Sequence, residues 1–202
     1  MRRVFVTLCM LLCAMSLSAQ SAHTYLDELK SSLGSRYAFA ISVRVGDAEE
    51  ALYGRVMVDG DSYYMSLESM EVYSDGNLRY EINNERREVT EDRVDLSSHD
   101  LLINPTRAFQ FAPDEFDISL RFSQNNEIAV VELQPRDEAF GITSIDLAMV
   151  SDSRGKLRPR QLLYNYDGEN VVISFEEYTF EEWSLPRWDK NDYKTYDIVS
   201  FL

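Results

Sequence analysis

The side chains able to do chemistry are few and poorly placed for it. His23 and His99 are the only histidines, and the two cysteines are Cys9 and Cys13. In "SSHD", Ser97 and Ser98 precede His99 and Asp100 follows it, which brings together the three residue types of a nucleophilic triad. A triad needs side chains that converge from separate places on a scaffold, and sequence neighbours rarely do. His99 therefore reads as an ordinary residue at a helix start, and His23 as an exposed residue at or before a first helical turn. Two separated histidines without a partner at ligand spacing give no zinc signature. The stretch "FEEYTFEEW" carries Glu176, Glu177, Glu181 and Glu182. Two carboxylates across a cleft would suit a glycosidase, but an acidic chain offers many such pairs, and a solvated strand with its exit loop accounts for these. The turn Asp59 to Asp61 lacks the rest of a calcium loop, and the sequence has no glycine-rich phosphate loop. The expectation is a protein that is not an enzyme, with no catalytic residue, no metal and no cofactor.

What is left to position is apolar surface. Met57, Met65 and Met70 sit on or beside early strands, with Tyr63, Tyr64 and Tyr73. Methionine fills irregular space, so it suits a core or a pocket for alkyl chains, and core is the plainer reading. In "AHTYLDELKSSLGS", Leu26, Leu29 and Leu33 recur at helical spacing, Thr24 stands as a cap, and Gly34 marks the stop. After Gly34 the period becomes two: Tyr37, Phe39, Ile41, Val43 and Val45 alternate with smaller or polar residues. Further strands are expected at about 51–58, 62–68, 70–74, 78–82, 86–90, 116–122, 127–133, 142–149, 159–166, 170–176 and 195–199. Turn signals separate many of them: Asp59-Gly60, Asp75-Gly76, Asn125-Asn126, Arg154-Gly155 and Asp167-Gly168. The rhythm breaks at "SSHDLLINPTRAFQFAP", where a Ser97 or Ser98 cap, the cluster Leu101, Leu102 and Ile103, and Asn104-Pro105 suggest a short helix and then a second helix or turn. One large antiparallel sheet with two helical pieces follows. A sheet of this size curls, and helices can cover its concave side.

Arg2 and Arg3, the apolar run Val4 to Met15 and the small residues of "SLSAQSA" have the layout of a secretory signal peptide, too short to span a bilayer as a helix. Cleavage is placed after Ala19, with Ser18 or Ala22 close behind, and an N-terminal membrane anchor is the alternative to a cleaved leader. Residues 1–19 are then a leader and 20–202 one domain. Both cysteines fall in the leader. Cys13 follows Met10, Leu11 and Leu12 rather than a small-residue box, so lipidation is not expected. An exported domain without cysteine relies on its core alone. The chain has 20 basic and 35 acidic residues; without the leader's two arginines the balance is 18 against 35, a net charge of −17. That disfavours nucleic acid and anionic membrane surfaces. With 45% apolar and 12% aromatic residues it does not argue disorder.

The order of parts resembles LolA, the periplasmic outer-membrane lipoprotein carrier family. "AHTYLDELKSSLGSRYAFAISVRV" is similar to that family's opening helix and first long strand. "MEVYSDGNLRYEI" resembles its hairpin, with Ser74, Asp75 and Gly76 in the turn and Tyr80 where a tryptophan is often found. "HDLLINPTRAF" resembles the central helical segment, and "WSLPRWDKNDYKTYDIVSFL" the C-terminal stretch, where a Pro-containing loop leads to a last strand. The resemblance implies a mainly β (α+β) fold: a single curved antiparallel sheet forming an unclosed β-barrel of about 11 strands with a helical lid over a hydrophobic cavity. It implies a monomeric carrier for acylated lipoprotein or lipid cargo, with an inner-membrane release complex and an outer-membrane acceptor as partners. On that reading Leu26, Leu29, Leu33, Phe39, Ile41, Met57, Met65, Leu101, Leu102 and Phe109 contribute to the cavity and lid. One departure stands out. The lid-holding arginine that follows the second strand in the best-known carriers is replaced by Val58 and Asp59, with Arg55 a few residues early. A sensing or scaffold module of the same fold that binds a partner protein is the alternative, and a hydrolase acting through carboxylates a more distant one.

Overall fold

A computed structural model describes residues 22–125, 127–137, 141–179 and 183–202. The expected leader and the Ala19 cleavage point lie outside them, as do Asn126, Glu181 and Glu182. A helix, α1, covers 22–33. Twelve strands follow: β1 (Arg36–Val45), β2 (Leu52–Asp59), β3 (Ser62–Leu67), β4 (Met70–Ser74), β5 (Leu78–Asn83), β6 (Glu88–Arg93), β7 (Phe116–Phe122), β8 (Ile128–Pro135), β9 (Ile142–Ser151), β10 (Leu157–Tyr166), β11 (Glu169–Thr179) and β12 (Asp197–Ser200). They form one sheet in the order β12-β6-β5-β4-β3-β2-β1-β11-β10-β9-β8-β7, not closed into a barrel. The strand count is twelve where about eleven were expected. Neighbours are antiparallel except at one edge, where β12 runs parallel to β6. The exception has a topological cause: the chain reaches β12 by a long crossing from β11 rather than by a hairpin, so it arrives from the other end.

Two expectations about helices change. The central stretch contains one 3-10 turn, Pro105–Arg107, and is otherwise turns. Asn104-Pro105 therefore opens this turn instead of closing a helix, because Pro fits the first helical position, where no N–H is needed. Thr24 lies inside α1 and exposed, so it is not the cap. Among the described residues no helix is long and apolar enough to cross a membrane.

The sheet buries different faces in different places. Along β1, β2, β3 and β7 to β11 the face toward α1 is the apolar one, with Phe39, Ile41, Val56, Met65, Val131, Leu147, Leu162 and Ile173 in a single core. Register carries this inner face through Met65 and Val72 to Glu81 and Thr90. On β5 and β6 the inner positions are thus polar, and Arg79 pairs with Glu81 at 2.7 Å. There the outer face is apolar: Ile82 and Val89 are fully buried. The chain beyond residue 183 covers that face, with Trp188 stacked between Tyr80 at 4.6 Å and Tyr193 at 4.8 Å. Register shifts bend the middle of the sheet between Ala40 and Ile41 and between Pro159 and Gln161. A proline in a non-edge strand is tolerated at such an irregularity, where it interrupts no ladder bond.

The β4–β5 hairpin turns through Asp75 and Gly76. The Asp75 carboxylate accepts the N–H groups of Asn77 at 2.8 Å and Leu78 at 2.9 Å. Those bonds hold its carboxyl below the usual carboxylate range. Gly76 has φ +95, and a Cβ there would stand 2.9 Å from the Cβ of Asp61. Gly155 also has positive φ, +73, but nothing lies within 4 Å of its added Cβ. Gly76→Ala is expected to lose about 1–2 kcal/mol from conformation and more from the clash, measured by urea unfolding. Gly155→Ala loses only the conformational part, so equal losses for both variants would refute the role of the Asp61 contact.

Candidate functional site: a roofed concave face

α1 covers one half of the inner face. Leu26, Leu29 and Leu33, one turn apart, enter the core. Tyr25 meets Phe122 of β7 edge-on at 5.8 Å. The helix stops where Gly34, at φ +67, donates its N–H to the Lys30 carbonyl at 3.0 Å. Its last turn is fastened to β10: the Arg158 guanidinium donates to the Ser32 carbonyl at 3.3 Å, to the Ser32 hydroxyl at 3.1 Å and to Asp152 at 3.1 Å. A cation at the carbonyl end of a helix is favoured by the helix dipole.

The segment 95–115 covers the rest. A stretch without regular structure cannot lie on an apolar bed unless its backbone groups find partners. Three tyrosines of the sheet supply them directly, and a fourth acts through the Asp100 side chain. Tyr37 of β1 donates to the Pro105 carbonyl at 3.0 Å, and Tyr63 of β3 to the Ile103 carbonyl at 3.2 Å. The Tyr164 hydroxyl of β10 accepts the Leu101 N–H at 3.0 Å and donates to the His99 carbonyl at 3.1 Å. Tyr166 donates to the Asp100 carboxylate, whose other oxygen takes the Leu102 N–H at 2.7 Å. Fully buried Asn104 donates to the Asp95 carbonyl at 2.8 Å. Burial raises the hydroxyls of Tyr37, Tyr63 and Tyr166 above the ordinary phenol value. For Tyr164 burial is again the main cause, and the Asp100 charge adds to it.

Beneath the roof, Phe109 packs among Tyr37, Phe39 and Phe175 with ring centroids 5.8–6.1 Å apart. Beside it, His99 is buried, not at a helix start. Its Nε2 stands 3.3 Å from Glu115 and 3.2 Å from the Arg107 guanidinium. Arg107 Nη2 donates to both Glu115 oxygens, at 3.2 and 3.4 Å. Burial, then Arg107, lower the His99 pKa, and Glu115 opposes them. Ser97 donates its hydroxyl to Asp95 at 2.6 Å, and Ser98 accepts the Asp100 N–H at 3.2 Å. The "SSHD" cluster thus serves loop geometry.

Of the residues singled out from sequence, Leu26, Leu29, Leu33, Phe39, Ile41, Met65, Leu101 and Phe109 meet in one core on the inner side, with Leu102 packed against it. Met57 does not join them. It is buried on the opposite face, between Val56 and Val58, which point inward. Arg55 is exposed and, paired with Ala40, also faces outward, so it does not reach the roof. Tyr37, Tyr164, Tyr166, Arg107 and Glu115 carry roles that sequence reading passed over. A tyrosine at an alternating apolar position was the available signal, since a buried phenol needs a partner for its hydroxyl.

The concave bed is filled by the chain's own side chains. Among the clefts of the described residues, one of about 220 Å³ opens between α1 and the roof at Leu26, Lys30, Arg107 and Phe109. Another of about 240 Å³ lies on the outer side at Tyr73, Tyr80 and Trp188.

No family model matches the sequence, and no curated protein matches it. Solved structures do. An uncharacterised conserved protein from Thermus thermophilus superposes with a TM-score of 0.54 at 12% identity, over 89% of this chain and 99% of that one. LprF from Mycobacterium bovis gives 0.48 at 11% identity, over 84% and 98%. A putative outer membrane lipoprotein-sorting protein domain from Vibrio parahaemolyticus gives 0.45 at 10% identity, over 88% and 97%. At such identities the likeness is one of fold alone.

Tyr164→Phe removes the partner of a buried N–H and of a buried carbonyl. It is expected to cost about 1–3 kcal/mol and to speed amide exchange of residues 99–104 while β9 and β10 stay protected. Unchanged exchange in that loop would count against the tyrosine roof. The raised phenol values also set a pH dependence. The unfolded chain gives up these protons first, so their stabilisation is whole below about pH 10 and falls as pH rises through the raised values. Unfolding titrations should show a steep alkaline loss that Tyr164→Phe makes shallower.

Proposed function

We propose that the chain is a periplasmic carrier, exported by its 1–19 leader, that binds lipoprotein acyl chains non-covalently against the concave face and shuttles them toward the outer membrane. The observation that carries this reading is the roof. It is joined to an apolar bed by side-chain hydrogen bonds to its backbone, without a helix packed through its length. Hydrogen bonds of this kind net about 1 kcal/mol each. A buried methylene contributes about 0.8 kcal/mol, so a long acyl chain can offset their loss. The clefts seen are smaller than the roughly 300–1,000 Å³ of ordinary ligand sites, so cargo must displace α1 or the 95–115 segment, Phe109 first. No covalent step is needed, in keeping with a protein that is not an enzyme and uses no cofactor. An inner-membrane release complex and an outer-membrane acceptor would then be its partners, by the family resemblance.

The small clefts favour one second reading, a module of the same fold that binds a partner protein through its surface. Native mass spectrometry of protein purified from the periplasm separates the two. Lipid or lipoprotein in the bound mass, with uptake of a fluorescent fatty acid, is the expected result. A clean unliganded mass with no uptake would overturn the carrier reading.

A further inference from the structure

The sheet ends at β7, and that edge is unguarded. Among the described residues no strand lies beyond it. Ser123 donates its N–H to the Ile128 carbonyl at 2.9 Å, and Arg136 to the Glu115 carbonyl at 2.9 Å. Carried along the β7–β8 register, these bonds turn the odd-numbered residues of β7 toward β8. Ile118 and Leu120 therefore hold their N–H and C=O groups outward, away from β8. Their side chains lie on the inner apolar face with that of Phe122; Ile118 and Leu120 pack against the core, and Phe122 is 45% exposed. Such an edge is ordinarily blunted by lysine, proline, a bulge or a cover. β7, FDISLRF, has no lysine or proline, and its pairing with β8 runs without a register shift. On the free side its first residue is engaged, since Phe116 donates to the Ala112 carbonyl at 3.1 Å.

The strand also reads alike from both ends. About Ser119, Phe116 mirrors Phe122, Asp117 mirrors Arg121 and Ile118 mirrors Leu120. We propose that β7 pairs antiparallel with β7 of a second copy of this chain, about a two-fold axis at Ser119, and joins two open sheets into one. Such an interface closes on itself, because each copy offers the same patch to the other. The register sets Ile118 opposite Leu120 of the partner subunit as a hydrogen-bonded pair, and the axis repeats it, so the outward N–H and C=O groups of both residues are met on both copies. On the inner side Phe122 comes beside Phe116 of the partner subunit, and one apolar bed runs into the other. On the outer side Asp117 stands opposite Arg121 of the partner subunit, at the closer, non-hydrogen-bonded spacing. Asp117 already holds Arg136 at 2.7 Å, and Arg121 holds Glu132 and Asp146. The axis thus sets the anionic end of one network against the cationic centre of the other, with signs alternating across the joint. A register centred on Leu120 keeps the backbone bonds but sets Asp117 opposite Ser123, without the ion pairs. Self-repulsion of two acidic chains keeps the association weak. The inference stands apart from the carrier reading and does not depend on what the concave face binds.

Sedimentation equilibrium of the purified protein is expected to show a monomer passing to a dimer between about 1 and 100 μM, the range of a small interface. Asp117→Arg sets two like-charged pairs about the axis and should weaken dimerisation about tenfold, and Arg121→Asp likewise. An equimolar mixture of the two variants should restore it as a heterodimer, since both pairs across the axis then carry opposite charges. Should Arg121→Asp fail to fold, Ser119→Cys decides the matter. Residue 119 faces its own copy across the axis, so mild oxidation should link Ser119→Cys dimers and leave Asp117→Cys unlinked. A monomer at every concentration would overturn the pairing. So would a dimer that Asp117→Arg leaves intact, or one that the mixture fails to restore and Ser119→Cys fails to link. A monomer whose Ile118 and Leu120 amides nonetheless resist exchange would assign the edge to a different strand and equally overturn self-pairing.

Discussion

The 95–115 roof of the concave side depends on hydrogen bonds from tyrosine hydroxyls to its backbone and to the Asp100 carboxylate. An irregular segment carries a donor and an acceptor at almost every residue, and an apolar bed offers neither. Tyrosine resolves the conflict because its ring belongs in the bed and its hydroxyl stands at the height of the covering chain. Tyr37, Tyr63, Tyr164 and Tyr166 come from three strands, β1, β3 and β10, so the roof is registered against the sheet at several points rather than hinged at one. An arginine on β2 is not required for this, and Arg55 points elsewhere.

The sheet's change of buried face gives the molecule two different sides. From β7 round to β3 the interior is greasy, while at β5 and β6 the same surface carries Arg79, Glu81, Thr90 and Asp92. The outer surface of those strands then needs a cover of its own. The stretch after residue 183 provides it, with Tyr193 reaching Glu71 at 2.8 Å and Tyr196 reaching Asn84 at 3.0 Å. One strand pair therefore marks the boundary between an apolar bed and a polar rim.

Strand positions were readable because alternation is a strong local signal, and both α1 and the Asp75-Gly76 turn follow from short-range chemistry. Which face a strand buries was less readable. Val56, Met57 and Val58 are all apolar, so alternation alone could not say that Met57 looks outward. The central stretch read as helical from its leucine cluster, yet Asp100, Asn104 and Pro105 each favour turns, and their side chains prevail through partners distant in sequence. The Arg107, His99 and Glu115 cluster left no trace in spacing, because a half-buried ion pair against a buried imidazole is defined by packing and not by motif.

The parallel strand at the edge has a consequence for how the molecule is made. β6 is complete early, but its free edge is covered only by β12, and the contact between Tyr196 and Asn84 spans 112 residues. A chain delivered N-terminus first would carry that edge bare for most of its synthesis. The sequence of β6, EVTEDR, places four charges in six residues. Charge on an unpaired strand discourages association with another chain, so the composition of β6 is suited to the long interval before its neighbour exists.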